Sequence, residues 1–378
     1  MTDRHLEGYV LNLRAGDLVE VRSEREILAT LDDTGALDAL PFMPEMLAYT
    51  GKRLRVYKRA DKTCDTIVRP GGGRRMTNTV HLEGLRCDGQ AHGGCQAACL
   101  LFWKEAWLKR VADTRVAPRP NEMPAQRSAA PLQAGRCDRA RLVEATCADR
   151  ADSTIEPRYR CQATELRRAS SPLAWWDLRQ YVRELRSRNV RPVEMLRVFA
   201  FWVFRRILRI GGYRLLIGLY DSFQRRRGGT PYPFRDGTLD KTPRETLDLR
   251  AGELVQVKSH EEILKTINAT NRNRGLSFDP EMVRFCGGVY RVRARVERLI
   301  DEGTGRMTNL SNDCIILDGV VCEARVSDKR LFCPRSIFPY WREIWLTRVR
   351  DASNAPGCAP SRGLESPAET ARPISECR

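Results

Sequence analysis

The chain has 378 residues, 42% of them hydrophobic and 30% charged, with a net charge of +17 and a pI near 9.6. That is room for two or three domains of a globular protein. A membrane-spanning chain is excluded, because the longest uncharged run of the most apolar segment, residues 198–204, falls far short of the ~20 residues a span needs. The basic excess points to polyanionic partners: an acidic protein, an anionic membrane surface or nucleic acid. The opening MTDRHLEGYVLNL has no apolar core of signal length, so a cytoplasmic chain is expected. In that compartment its 13 cysteines are thiols or metal ligands more often than disulfides.

In chain order, the first 111 residues read as a β-rich unit. GDLVEV alternates as a strand should, and SEREILATL follows with a Ser N-cap and a Glu three residues on. PEM and a Gly lead into a second strand, GKRLRVYKRA. RPGGGRR reads as a hairpin loop rather than a phosphate cradle, because no helix starts there. TVHLEGLRC reads as a third strand, CDGQAHGGCQAAC as a Gly-rich loop, and WKEAWLKRV closes the unit. The same series recurs over residues 249–349: GELVQV, SHEEILKTI, PEM, GGVYRVRARVERLI, RMTN, CIILDGVVC and WREIWLTRV. A period near 236 residues is too long for a solenoid and means two homologous units, 13–111 and 249–349. The repeated W-x-E-x-W-L-x-R-V ends are expected in the core, with one Glu–Arg pair.

The G-D-x-V-x-V opening and the G-K-x-x-x-V strand resemble the SH3-like barrel of KOW-type modules and of the nitrile hydratase β chain. The fold class this implies is α+β, two small SH3-like barrels flanking a helical insert. The doubled block as a whole resembles a family of two-repeat bacterial proteins, a likeness that supplies no catalytic residues.

Cys64, Cys87, Cys95 and Cys99 fall at two strand ends and in the Gly-rich loop. Four thiolates placed so are expected to converge on zinc or an iron–sulfur cluster. Aligned with them, Cys322 falls on Cys87 and Cys333 on Cys95, while Ile300 replaces Cys64. The second unit's cysteines, Cys286 and Cys314 among them, are expected to be plain core residues. A nucleophilic reading would pair Cys87 or Cys95 with His81 or His92. His81 fits an ordinary strand position; His92, in the loop, is the better base or ligand. Cys161 lies where it could complete a site between domains. Cys137, Cys147, Cys358 and Cys377 take no role.

Residues 112–157 are rich in Pro, Ala and Arg and are expected to be a disordered linker; 351–378 are expected to be a disordered tail. Between them, 158–243 read as a basic helical insert, before the second β-rich unit at 244–350. Residues 161–227 hold 15 Arg, no Lys and five acids. Pro192 can start a helix there and Gly211–Gly212 can end it. Arg197, Arg205, Arg206 and Arg209 share one half of that helix; Phe199, Ala200, Val203, Phe204, Ile207 and Ile210 share the other. The helix is read as packing on the β units, as lying on an anionic membrane, or as contacting nucleic acid, which Arg without Lys fits least. Two functions follow as expectations. One is a metal-binding accessory or scaffold module docking on an acidic partner or a membrane surface; the other is a redox or thiol-dependent enzyme working at the cysteine loop.

Overall fold

The computed structural model describes residues 10–68, 71–112, 137–148, 157–208 and 213–349. It is a mixed α and β protein built of small antiparallel sheets. In the first unit five strands lie in the order Leu100–Lys104, Thr79–Arg86, Arg53–Arg59, Leu18–Val21, Leu108–Arg110. In the second, Ile315–Leu317, Val289–Arg295, Leu254–Val257 and Leu346–Arg348 take the matching order. Equivalent registers recur: Val19 faces Leu54 and Arg110, and Val255 faces Tyr290 and Arg348. The pairing slips at the same place, between Val56 and Lys58 in one unit and between Val292 and Ala294 in the other. Among the described residues the outer strands of each sheet do not pair with one another. Each sheet is therefore an open half-barrel, and the closed SH3-like barrel is not reached.

Local sequence explains the rest of the unit. Ser23 and Glu26 form a capping box on Glu24–Leu28, as Ser259 and Glu262 do on His260–Leu264, so each short helix starts with its free N–H groups satisfied. Trp103, Trp107, Trp341 and Trp345 are wholly buried. The Glu of each W-x-E-x-W motif is a latch. Glu105 accepts the backbone N–H groups of Leu11 (2.6 Å), Asn12 (3.0 Å) and Leu13 (2.8 Å), and Arg59 Nη1 at 2.6 Å. Glu343 repeats this with Leu247 (2.7 Å), Asp248 (3.1 Å), Leu249 (2.8 Å) and Arg295.

The stretch expected as linker is not uniform. Asp138 caps a helix, Arg139–Glu144, whose Leu142 enters the first core together with Cys137. A capping acid and one apolar anchor suffice to order it. Most of the remaining linker and the whole tail lie outside the described residues. The insert divides likewise. Cys161, Ala163 and Leu166 belong to the first core, and Ser171–Leu173 adds a strand to the hairpin of Lys62–Cys64 and Gly73–Arg75. The helices Arg179–Arg186, Pro192–Leu208 and Tyr213–Arg226 follow. Met195 and Val198, with Phe199 and Trp202 beside them, pack against Tyr181, Val190, Leu331 and Phe332. The apolar half of the long helix therefore splits: Phe199 faces the body of the protein, while Val203 and Ile207 are 49% and 51% exposed. No described helix is long and apolar enough to cross a membrane.

The two units are interlocked by exchange. The Lys62–Cys64 hairpin leans on the second unit, where Lys62 Nζ donates to Leu331 O. Its counterpart, Arg298–Ile300, leans on the first, where Gln96 N donates to Arg298 O at 3.1 Å. Each unit thus gives the other the same piece, as in a two-fold interface.

Candidate metal centre

The Gly-rich loop joins Thr79–Arg86 to Leu100–Lys104, and its ends are tied by Cys87 N donating to Cys99 O at 2.8 Å. Inside it the chain doubles back, with Gly94 N donating to Gly89 O at 2.8 Å. Gly89 has φ +76°, and a Cβ there would meet Cys95 O at 2.0 Å; a Cβ on Gly93 (φ +70°) would meet the Tyr159 ring at 2.5 Å. Glycine is required at both places. So folded, the loop turns His92 inward, to 1% exposure.

His92 Nε2 lies 3.3 Å from Cys87 Sγ. Glu45, on the 3-10 turn Pro44–Tyr49, joins them, and the donor atoms of Glu45, Cys87 and His92 all lie within 4.8 Å of one another. Both Glu45 carboxylate oxygens and His92 Nδ1 are shut off from solvent and have no hydrogen-bond partner. Buried polar atoms without partners are uncommon and costly. Burial pushes Glu45 up to about 7 and His92 down to about 4. Burial also pushes the Cys87 thiol up, with the Glu45 carboxylate adding to it. At neutral pH the pair is therefore a thiol beside a neutral imidazole, not a thiolate–imidazolium pair. A cation placed among them would invert that preference, because it stabilises the deprotonated ligands. In a tetrahedral zinc site, sulfur about 2.3 Å and nitrogen about 2.0–2.1 Å from the metal lie roughly 3.6 Å apart, close to the spacing here.

The adjoining cavity is about 40 Å³ and is lined by Cys87, His92, Cys95, Cys99, Cys161 and Arg335, among others. That holds an ion and a water but not an organic substrate. Burial raises Cys99 to about 11 and Cys161 to about 12.

Three of the four cysteines expected to converge, Cys87, Cys95 and Cys99, line this one cavity. Cys64 does not. Its hairpin crosses to the second unit, and Cys64 lines a second cavity of about 20 Å³ with Glu281, Cys322, Arg330, Cys333 and Arg335. In the first cavity its counterpart Ile300 comes across instead, its N–H donating to Cys95 Sγ at 3.4 Å. The fourth cysteine there is Cys161. His81 is a core residue: it is fully buried, its Nδ1 lies 2.8 Å from Leu101 O, and burial holds it down to about 3. Cys314 is buried in the second unit, and Cys286 is half-buried against that unit's core. Glu45 was not legible in the sequence, because the PEM turn recurs as Glu281 and reads as structure. Glu281 differs in one respect, since its Oε1 accepts Val326 N at 2.7 Å.

Comparison with family models, with curated proteins and with solved structures yields no match, so the site is read from its own chemistry.

Proposed function

We propose that the protein is a metal-binding scaffold that holds zinc through Glu45, Cys87 and His92. What supports this is the set of unpartnered donors: two carboxylate oxygens and an imidazole nitrogen, buried beside a thiol. Mixed sulfur, nitrogen and oxygen donors suit zinc, whereas iron–sulfur clusters are held mainly by thiolates. Cys95, Cys99 and Cys161 line the cavity beside this set and are the thiols at hand for a fourth position. The half-barrel sheets are read as opened SH3-like barrels that carry this centre. Metal analysis of the purified protein tests the reading: one zinc per chain is expected, lost in Cys87→Ser and His92→Ala and kept in Cys64→Ser. A brown protein absorbing near ~400 nm, with stoichiometric sulfide, would point to a cluster instead.

The scaffold role rests on the long helix. Val193, Leu196, Val203 and Ile207 are 60%, 69%, 49% and 51% exposed, and with exposed Ala200 they fall on one face of Pro192–Leu208. Exposed Arg197 and Arg206 flank that stripe on either side. Like charges on both flanks repel a second copy and favour an acidic amphipathic partner or an anionic membrane. Sedimentation with anionic vesicles at low and high salt separates the two: salt-sensitive sedimentation marks the membrane, and none at any salt leaves the acidic partner.

A thiol-dependent enzyme at the Gly-rich loop is the second reading, favoured by the 3.3 Å contact of Cys87 with His92. The neutral state of that pair and the small cavity weigh against it.

A further inference from the structure

We propose that Cys64 and Cys333 form a peroxide-reactive dithiol whose oxidation joins the two halves of the chain by a disulfide across the second cavity. The proposal does not rest on the zinc reading, because none of its residues is a ligand there.

The two thiols come from opposite units. Cys64 ends the exchanged hairpin and Cys333 lies on the loop it meets, with Ala324, Cys322 and Ile337 around them. Both are free and buried, Cys64 at 5% and Cys333 at 4% exposure. Cys64 and Cys333 pack in one buried cluster and line the same cavity; the neighbouring Cys333 lowers the Cys64 thiol most, and Arg335 and Arg330 lower it further, against burial and Glu302. Cys333 is pushed the other way by Cys64 and by burial. Cys64 is therefore the more acidic thiol of the pair, beside two guanidinium groups that favour its thiolate. Arg335 is fixed in place, with Nη1 2.9 Å from Thr66 Oγ1 and Nη2 2.7 Å from Glu302 Oε1.

This cavity is not a second copy of the metal centre. Its glutamate is already hydrogen-bonded to backbone. Counting back from Trp341 and Trp103, Arg330 stands where the first unit has His92. That second guanidinium, added to Arg335, disfavours a metal cation and favours an anion, here the thiolate. At about 20 Å³ the space admits a molecule little larger than water. Hydrogen peroxide fits it; glutathione and bulky alkylating agents do not.

The chemistry balances with the peroxide as oxidant. The Cys64 thiolate attacks one peroxide oxygen; the S–O bond forms, the O–O bond breaks, and hydroxide leaves and takes up a proton as water. Cys64 is then a sulfenic acid. Cys333, having lost its proton, attacks that sulfur; the S–S bond forms, the S–O bond breaks, and a second water leaves. Two thiols and one peroxide give one disulfide and two waters.

The test treats the full-length protein with stoichiometric hydrogen peroxide, blocks remaining thiols, and maps peptides without reduction. A Cys64–Cys333 linked peptide is expected before any change at Cys87, Cys95, Cys99 or Cys161. In Cys333→Ser, Cys64 should accumulate as sulfenic acid, read as one added oxygen on its peptide and captured by dimedone once the oxidised protein is unfolded in its presence; in Cys64→Ser, Cys333 should stay unmodified. Arg330→Gln should slow the linkage at pH 6 several-fold, because a smaller fraction of Cys64 is then ionised. Oxidation that begins at the first cavity, or a Cys333 that reacts equally well without Cys64, overturns the proposal. So does protection of both thiols by added zinc in Cys87→Ser protein, which would make the pair a metal site.

Discussion

Cys87 and Cys322 hold equivalent positions, each N–H donating at 2.8 Å to an equivalent carbonyl, Cys99 O or Ile337 O. Yet one thiol faces an imidazole and a carboxyl, and the other lines a cavity with arginines. The duplicated frame is shared, and the chemistry differs through single residues. At the first centre burial holds Cys87 protonated and Glu45 near 7, so a metal must displace protons to bind. Zinc titration near pH 7 in two buffers of different ionisation enthalpy is therefore expected to show between about one and two protons released per zinc from Cys87 and Glu45, with about one more where a cavity thiol completes the site, and Cys87→Ser to abolish both uptake and release. Zinc uptake without proton release would mean that the thiol is not a ligand. The grouping of Cys87, Cys95 and Cys99 was legible because one loop carries all three. The displacement of Cys64 was not, since nothing local says that its hairpin packs on the other unit. Glu45 was invisible for another reason: a carboxyl on a recurring turn looks exposed until tertiary packing covers it.

Caps and the first unit's strands are legible where periodicity and capping chemistry speak directly, as at Ser23 with Glu26 and Ser259 with Glu262, whereas GGVYRVRARVERLI is two strands, Val289–Arg295 and Arg298–Ile300, and CIILDGVVC is a strand only over Ile315–Leu317. The function of the closing motif was half legible: its tryptophans were expected in the core, but the Glu does not pair within the motif. Glu105 clamps three backbone N–H groups of the segment before the first strand, and Arg59, all far away in sequence. Truncating it strands all four donors, so Glu105→Ala is expected to cost about 3–5 kcal/mol, read as a lowered denaturant midpoint. Glu343→Ala should do the same in the second unit. The insert has its own buried carboxyl. Burial pushes Glu184 up from 4.5 to about 7, opposed by Lys62 and by the bond from Asn189. A raised carboxyl favours the fold most below its ordinary value, and that contribution is lost as pH rises through the folded one. Stability should therefore fall by about 3 kcal/mol between pH 4.5 and 7 on account of this group. Glu184→Gln should flatten that slope in urea titrations across the window; an unchanged slope would assign it to other groups.

At the scale of the whole chain, the interlocking of the units matters more than either sheet. Arg335 lines both cavities and ties the second unit's loop to Thr66 in the first and to Glu302. Lys62 reaches the second unit's Leu331, and Arg86 reaches Ser336 O at 2.9 Å while lying over the Phe338 ring. These charged groups, buried or half-buried, each have a partner in the opposite half, so separating the halves would strip part of their hydrogen bonding at a cost of several kcal/mol. That cost exceeds what a surface contact between independent domains supplies, and it predicts that the halves unfold together. Equilibrium denaturation followed by intrinsic tryptophan fluorescence and by far-UV circular dichroism is expected to give coincident transitions. Arg335→Met leaves Glu302 without its guanidinium and cuts the tie to Thr66. It should lower the midpoint by the equivalent of about 3–5 kcal/mol and split the curve, because each half keeps its own core while the link between them is gone. To assign the two phases, one unit can be made silent by Trp103→Phe with Trp107→Phe, or by Trp341→Phe with Trp345→Phe, in otherwise identical protein. If Arg335→Met still unfolds in one step with every probe, the cooperativity comes from the exchanged hairpins themselves and not from the arginine between the cavities.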